Sequence, residues 1–306
     1  MPFIDVNNLP GDDHARIAIA GPEGSGKTLT GLKIMRGIVG PRGRIAVIDT
    51  ENRSSRKFRA YEHFFVSPID DNYAPAVYVA AIREAERGKF DGLVIDSLTH
   101  AWNAPGGALD QIDAFTGGDM SKNRNAWRKV TPEHNRLVEA LVHSKCNLLC
   151  TLRVKTDMEE VVLPDGRKRW QKVGLMPIQR DGMMYEFDMV LDMDVNSVMT
   201  VSKSRVPQFN KNVMFEERME RGKRPAPTLE TLDKHLKEAE WFGAQVAEWL
   251  RTGIGKSRAQ MVTEAIIERA TATDRMDETL AMMLEAAGDD ITSLDQIMEN
   301  LEVHDR

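Results

Sequence analysis

Short apolar runs alternate with stretches of helical spacing over the first half of the chain. The runs predict buried strands at residues 16–20, 44–52, 63–68, 92–96 and 147–154. Helical spacing predicts helices at residues 29–39, 74–88 and 131–145, the last beginning at Thr131 with Pro132 in its first position. This alternation predicts an α/β fold with a mostly parallel sheet that helices cover on both faces.

The second half of the chain has a different pattern. Alternating polar and apolar residues around Pro-Asp-Gly predict a β-hairpin over residues 159–174. A second hairpin, which turns at residues 195–197, is expected to close the sheet. Residues 103–124 are rich in Gly, Asp and Asn and predict a loop, whereas residues 231–250 predict a helix.

A Gly-rich linker predicts a division into two parts. The expected core covers residues 1–252, and residues 253–306 are expected to form a small module of about three short helices. The net charge is −6, but residues 256–306 alone hold 5 basic and 12 acidic residues and sum to −7. Since the remainder sums to +1, the charge of the whole chain does not exclude a polyanionic partner.

The two cysteines, Cys146 and Cys150, do not predict a disulfide or a metal site. On a strand they would lie about 13 Å apart, which is too far for a disulfide. We interpret them as buried, reduced thiols of a cytoplasmic protein. The apolar runs are too short to cross a bilayer, and the N-terminal residues lack a secretory pattern, so no membrane association is expected.

The sequence GPEGSGKT at residues 21–28 matches the phosphate-binding pattern G-x-x-x-x-G-K-[ST] between a predicted strand and a predicted helix. In this pattern, backbone N–H groups surround the phosphates, Lys27 reaches the terminal phosphates, and the Thr28 hydroxyl binds Mg²⁺. The alternative is a Gly-rich turn with an exposed lysine. The expected ATP-binding residues are Gly21, Pro22, Glu23, Gly24, Ser25, Gly26, Lys27, Thr28 and Leu29.

Carboxylates at two strand ends are the next candidates. Asp96 ends the apolar run GLVID and is expected to bind Mg²⁺ with Thr28, the alternative being a simple strand-end aspartate. Ser97 follows it where many ATPases place a catalytic glutamate. Glu51 ends an earlier strand in the sequence Asp-Thr-Glu, an arrangement that resembles RecA-type ATPases and differs from AAA+ proteins. That resemblance implies that Glu51 is the catalytic base; the alternative is a surface cap.

Four cations have candidate roles at the same site. Lys203 and Arg205 lie two residues apart in TVSKSR, on one face of a predicted strand. Hexameric DnaB-type helicases and KaiC-like proteins have a similar pair, and this resemblance implies catalytic cations that act in a neighbouring subunit of a homo-oligomer. A basic edge strand is the alternative. Arg153 and Lys155 follow the predicted strand 147–154 and are candidate γ-phosphate sensors or plain solvated cations.

Longer segments resemble a particular group of proteins. The chain resembles phage-encoded RecA-like P-loop ATPases, which are described as AAA-family ATP-binding proteins and include single-strand annealing proteins of the Sak-four type. The segments that carry this resemblance are GPEGSGKT, IDTEN, LVIDSLTHAW, NAWRKVTPEHN, RVKT, KVGLMPIQRDGMMYEFDMVLDMD and SKSR. The resemblance covers residues 15–250. It implies an ATPase that binds and anneals single-stranded DNA in recombination or replication, in the host cytoplasm, beside a single-strand-binding protein.

A basic segment gives independent support for a DNA partner. Residues 153–180 hold seven basic and four acidic residues around Trp170, and cations with an aromatic ring suit single-stranded DNA. The alternative is a solvated hairpin with Trp170 packed on the body. Residues 101–128, which include Arg124 and Arg128, are a weaker candidate. The expected DNA-binding residues are Lys155, Arg167, Lys168, Arg169, Trp170 and Lys172.

Two rival functions stay open at this point. The same chemistry could drive a helicase or a helicase loader. A nucleotide-gated interaction protein could instead recruit partners through its acidic tail without touching DNA. His100 and His134 lack any partner spacing and are interpreted as structural residues.

Overall fold

The computed structural model places nine strands and eight α-helices among the residues that it describes. Those residues are 14–162, 168–205, 213–214, 229–252, 263, 266–267, 269–270, 278–288 and 291–303. The strands are β1 (Arg16–Gly21), β2 (Ile45–Asp49), β3 (Phe65–Pro68), β4 (Gly92–Asp96), β5 (Asn147–Val162), β6 (Lys168–Pro177), β7 (Met189–Met193), β8 (Met199–Ser204) and β9 (Val213–Met214). The helices are α1 (Lys27–Val39), α2 (Pro75–Arg87), α3 (His100–Asn103), α4 (Ala108–Thr116), α5 (Asn123–Val142), α6 (Leu229–Thr252), α7 (Glu278–Ala287) and α8 (Ile291–Val303).

The strands form one sheet in the order β3-β2-β4-β5-β1-β7-β8-β9, with β6 paired to β5. The six strands from β3 to β7 in that order are parallel. Strands β6, β8 and β9 pair antiparallel with their neighbours. The expected α/β class, with the mostly parallel sheet of a P-loop NTPase and antiparallel hairpins, is confirmed.

Helices cover the central strands on both faces, which explains why these strands are apolar throughout. In β1, Ile17 and Ile19 lie in the core cluster that contains residues of α1 and α6. The intervening Ala18 and Ala20 lie in the cluster formed with α2 and α5. The side chains of one strand therefore enter two cores, and its C-terminal end is held between them at the phosphate-binding sequence.

The loop predicted at residues 103–124 is wrong, because the nine residues of α4 lie inside it and α5 begins at Asn123. Gly107 precedes this helix, and Gly117 ends it with φ +55°, a left-handed conformation that glycine adopts readily. Ala108 and Ile112 pack against α5, so only one narrow apolar stripe is buried. The many Gly and Asp residues cap and solvate a short helix here, which composition alone does not reveal.

The predicted start of α5 at Thr131 is also wrong. The helix begins at Asn123, and Pro132 lies inside it. Ala126 and Val130 are buried against α4, and this packing extends the helix toward the N-terminus despite the proline. The predicted strand at residues 147–154 is longer than expected as well, since β5 continues to Val162 and pairs with β6 from Val154 onward.

The chain divides into two compact units, Met1–Arg251 and Thr252–Arg306. The second unit has its own small core, in which Ile266 and Ala270 cluster with Leu280 of α7 and Leu294 of α8. Among the described helices, none combines the length and the apolar character that a bilayer crossing requires.

Candidate active site

The phosphate-binding sequence forms a tight turn between β1 and α1. Gly24 and Gly26 have φ of +76° and +92°, in the left-handed region that favours glycine. At Gly21, a Cβ atom would lie 2.7 Å from the carbonyl oxygen of Met193, so only glycine fits there. The turn therefore delivers the N-terminus of α1, with its unpaired N–H groups, to the C-terminal edge of the sheet.

The side chain of Lys27 folds back onto the backbone at the start of this turn. Its ammonium group donates hydrogen bonds to the carbonyl oxygens of Gly21 (2.9 Å) and Pro22 (2.6 Å). Burial lowers the pKa of Lys27, and the charges of Asp96 and Glu51 oppose that shift. A partly desolvated cation in a ring of backbone groups is suited to the terminal phosphates of a nucleotide.

Asp96 and Thr28 meet as the sequence predicts. The Thr28 hydroxyl donates to Asp96 Oδ2 at 2.7 Å, and the hydroxyl of Thr151 donates to Asp96 Oδ1. Asp96 is 3% exposed, and burial raises its pKa although the two hydroxyl donors oppose the shift.

These oxygen donors fit a hard divalent cation. Asp96 is a buried carboxylate bonded to neutral hydroxyls, so a bound cation would supply the missing positive charge. The described residues contain no group of three or more His, Cys, Asp or Glu that could hold a metal alone. Mg²⁺ is commonly held by one or two protein oxygens together with phosphates and waters, and Thr28 and Asp96 offer such oxygens.

Glu51 is presented by a turn that Asp49 holds in place. Asp49 is fully buried; its Oδ1 accepts from the Glu51 N–H at 2.9 Å, and its Oδ2 accepts from the N–H of Ser55 at 2.9 Å. Asn52 and Arg53, which lie between them, both have φ near +60°. The first aspartate of Asp-Thr-Glu therefore fixes the backbone of the turn by accepting these hydrogen bonds, and the glutamate side chain projects from the turn.

Glu51 and Arg153 form a two-point ion pair. Arg153 Nε donates to Glu51 Oε1 at 2.9 Å, and its Nη2 donates to Oε2. The hydrogen bonds to Glu51 raise the pKa of Arg153. Arg153 lies in register with Gly21 across the β1–β5 pair, so the ion pair lies beside the phosphate-binding turn. The structure thus brings together two residues that were predicted separately as base and sensor.

His100 belongs to the same cluster, and its interpretation as a purely structural residue missed this position. His100 Nε2 lies 3.8 Å from Glu51 Oε1, and His100 Nδ1 is 2.8 Å from the Thr50 hydroxyl. Burial lowers the pKa of His100, which favours its neutral form. Its place just after Asp96, at the same edge of the sheet as Glu51, was the available sequence signal. His134, in contrast, is buried with its ring edge against Trp102.

Lys203 and Arg205 lie at the opposite edge of the sheet from the phosphate-binding turn. The Lys203 ammonium donates to the carbonyl oxygens of Met184 and Tyr185 at 2.9 Å and Phe187 at 2.7 Å. Arg205 pairs with Asp188 at 3.1 Å, and its side chain is 57% exposed. Asp188 also binds the N–H of Arg16, which lies five residues before Gly21 on β1 and hence about 16 Å from it. Arg205 therefore does not lie beside the nucleotide site of its own chain.

The predicted DNA-binding hairpin is present as β5 and β6. Lys155 is exposed on β5, and Ile178 N–H donates to the Arg153 carbonyl at 2.8 Å where the hairpin begins. The backbone of Lys168, Arg169, Trp170 and Lys172 lies in β6, opposite residues 158–162 of β5. Arg167 and the side chains of these four residues lie outside what the structure describes.

Comparison with known proteins identifies a family. The family model described as an AAA domain matches residues 13–218, which is 206 of the 306 residues. The matched range contains the phosphate-binding turn, Glu51, Asp96, Arg153 and the pair Lys203 and Arg205. No curated protein matches the chain.

Proposed function

The chain belongs to the AAA domain family of P-loop ATPases, and from this premise we propose that it hydrolyses ATP in order to bind and anneal single-stranded DNA. The resemblance to phage RecA-like annealing proteins supports the DNA part and suggests a role in phage recombination or replication. The observation that carries the proposal is the continuity of β5. This one strand holds Arg153 beside the phosphate turn and then continues into the basic hairpin.

Several groups of the chain would act on bound nucleotide. The backbone N–H groups of residues 24–28 and the ammonium group of Lys27 bind the phosphate oxygens. Thr28 and Asp96 would hold Mg²⁺, which supplies charge neutralisation on the β- and γ-phosphates when it is bound. The buried Asp96 keeps the Thr28 hydroxyl oriented for that task.

The Glu51–Arg153 pair links nucleotide binding to the base. A γ-phosphate offers Arg153 a competing anion, and a guanidinium binds phosphate oxygens as well as it binds a carboxylate. Once released from Arg153, the Glu51 carboxylate can accept the proton of an attacking water. His100 Nε2 lies 3.8 Å from Glu51 Oε1, beyond direct hydrogen-bond distance, so the ring borders the carboxylate without bonding to it.

DNA activity distinguishes annealing from its rivals. We expect the protein to bind a labelled oligonucleotide more tightly with a non-hydrolysable ATP analogue than with ADP, and to accelerate pairing of complementary strands. Unwinding of a forked duplex would instead identify a helicase motor. The absence of DNA binding in every nucleotide state would contradict the proposal.

One observation favours the nucleotide-gated scaffold as a second candidate. Met282 and Met283 of α7 are 70% and 52% exposed, and exposed methionines often bind partner proteins. A single-strand-binding protein is a suitable partner for that helix under either function.

Arg205 is expected to complete the nucleotide site of a neighbouring subunit. Its exposure and its distance from its own phosphate turn support a role in trans within a homo-oligomer. Lys203 beside it would first have to leave the three carbonyl oxygens of its own chain to which it donates. We expect Arg205→Ala to lower kcat for ATP hydrolysis by about a thousandfold, the usual range for such cations. A mixture of the Arg205→Ala and Glu51→Gln proteins should regain activity. In mixed oligomers, the intact nucleotide site of an Arg205→Ala subunit meets the intact Arg205 of a Glu51→Gln subunit. A mixture that stays as inactive as its components would contradict the role in trans, and Arg251→Ala serves as the control.

A further inference from the structure

We propose that an exposed face of α5 is a second contact surface for the phosphodiester backbone of single-stranded DNA, an inference that rests on the proposed function. Four basic residues, all exposed, define this α5 basic face: Arg124, Arg128, Lys129 and Arg136. The opposite side of the helix is buried in the protein through residues such as Ala126, Val130 and Leu137. The face is thus fixed in orientation by packing rather than by its own charges.

The four cations form two rows that lie about 110° apart around the helix. Arg124 and Arg128 are one helical turn apart on the first row, and Lys129 and Arg136 are two turns apart on the second. The exposed carboxylate of Glu139 lies between the two rows. Among the described residues, Arg124, Arg128 and Arg136 form no ion pair with a carboxylate. Three guanidinium groups that have no ion pair within the described part of the chain therefore lie along one helix, where they can contact successive phosphates of an extended polyanion.

Helix stability does not account for this placement. Arg124 lies in the first turn of α5, which contains no acidic residue, and the positive end of the helix dipole disfavours cations there. Arg124 and Arg128 also repel each other at the i, i+4 spacing. A bound polyanion offsets both the unfavourable position of Arg124 at the positive helix end and its repulsion by Arg128. The same helix end also favours negative charge.

An exposed aromatic ring favours a single strand over a duplex. Phe115 of α4 is 47% exposed, and the Lys129 ammonium lies 4.6 Å from the centroid of its ring. Cations beside an accessible ring are the combination that holds the phosphates and the unpaired bases of a single strand. A duplex would present stacked bases that this ring cannot reach.

The α5 basic face also lies near the C-terminal end of β6, the second strand of the proposed hairpin. Arg180, three residues after the end of β6, reaches α5 and donates to Asn135 Oδ1 at 3.3 Å. Asn135 is exposed on the row of Arg124 and Arg128. A strand that binds the hairpin can therefore continue along α5.

Charge reversal tests the proposal. The triple variant Arg124→Glu, Arg128→Glu, Arg136→Glu is titrated with a fluorescent oligothymidylate at several salt concentrations. We expect at least about a tenfold loss of affinity near 0.1 M salt, and a salt dependence whose log–log slope is smaller by about 2. Basal ATP hydrolysis without DNA should stay unchanged. Phe115→Ala should weaken binding without changing the slope.

Matched variants separate the possible outcomes. The control Arg42→Glu, Arg87→Glu, Lys145→Glu makes the same change at exposed residues elsewhere and should retain affinity. If the reversal variant misfolds, the triple glutamine variant provides the same comparison. Wild-type affinity and slope in the α5 variant would overturn this inference alone, as would an equal loss in the control. If the native chain binds no oligothymidylate, both this inference and the proposed function are overturned.

Discussion

Glu51→Gln is expected to lower kcat for ATP hydrolysis at least about a hundredfold while ATP affinity changes little. The amide has nearly the shape of the carboxylate, but it cannot accept a proton from water. It also loses the two-point ion pair with Arg153, which leaves that cation free for the γ-phosphate. Hydrolysis should therefore fail at the chemical step, and the variant should accumulate as the ATP complex. Single-turnover hydrolysis and fluorescent-nucleotide binding measure the two effects separately.

Glu84→Gln is the matched control for this prediction, because Glu84 is exposed on α2, away from the phosphate turn. It should hydrolyse ATP at the native rate. Retention of more than about a tenth of the native rate by Glu51→Gln would place the base elsewhere, since general base catalysis contributes a larger factor. Weakened ATP binding without a change in kcat would mean that Glu51 serves to orient the site.

Asp96→Asn is expected to reduce Mg²⁺-dependent hydrolysis by about a hundredfold or more, yet to leave the nucleotide-free protein at least as stable as the native chain. The activity falls because the amide removes the negative charge that would hold the cation beside Thr28. The stability is retained because burial raises the pKa of Asp96, so the charged form is the unfavourable one in the folded protein. Urea unfolding in EDTA measures this free energy of unfolding.

The difference in free energy of unfolding between Asp96→Asn and the native chain is expected to change with pH in favour of the variant. Because the pKa of Asp96 is raised on folding, the folded chain binds more protons than the unfolded chain above about pH 4. The contribution of Asp96 to the stability of the native chain therefore decreases as pH rises through its folded pKa. The stability of Asp96→Asn relative to the native chain should increase over the same pH range. Asp49→Asn is the contrasting control, since that carboxylate accepts two backbone N–H bonds and its loss should cost about 1–3 kcal/mol. An Asp96→Asn protein that is clearly less stable would contradict the account.

The strands and the phosphate turn could be predicted because local sequence determines them. Strands β1, β2 and β4 are continuous apolar runs with both faces buried, and Gly24 and Gly26 have conformations that other residues adopt at a cost. Helix α4 and the first part of α5 could not be predicted in this way. Their mutual packing through Ile112 and Val130 overrides the glycines and Pro132, and this packing is a tertiary effect.

The candidate site was predicted residue by residue but not as an arrangement. Asp96 and Thr28 meet as the spacing of the motifs implies. The pairing of Glu51 with Arg153 depends on the turn that follows β2 and on a position inside β5, 102 residues later in the chain. His100 approaches Glu51 because the segments that follow β2 and β4 meet at the same edge of the sheet. Periodicity locates the strands, but it carries no information about which side chains meet beyond their ends.

Steady-state ATP hydrolysis by the native chain, with and without single-stranded DNA, tests the central claim most directly. If β5 couples the DNA hairpin to the Glu51–Arg153 pair, the rate should rise at least several-fold with DNA and should depend on Mg²⁺. Glu51→Gln should remove both the basal and the stimulated rate. Magnesium-dependent hydrolysis that DNA does not change would contradict the coupling, and the absence of hydrolysis under both conditions would contradict the assignment of the site as an ATPase centre.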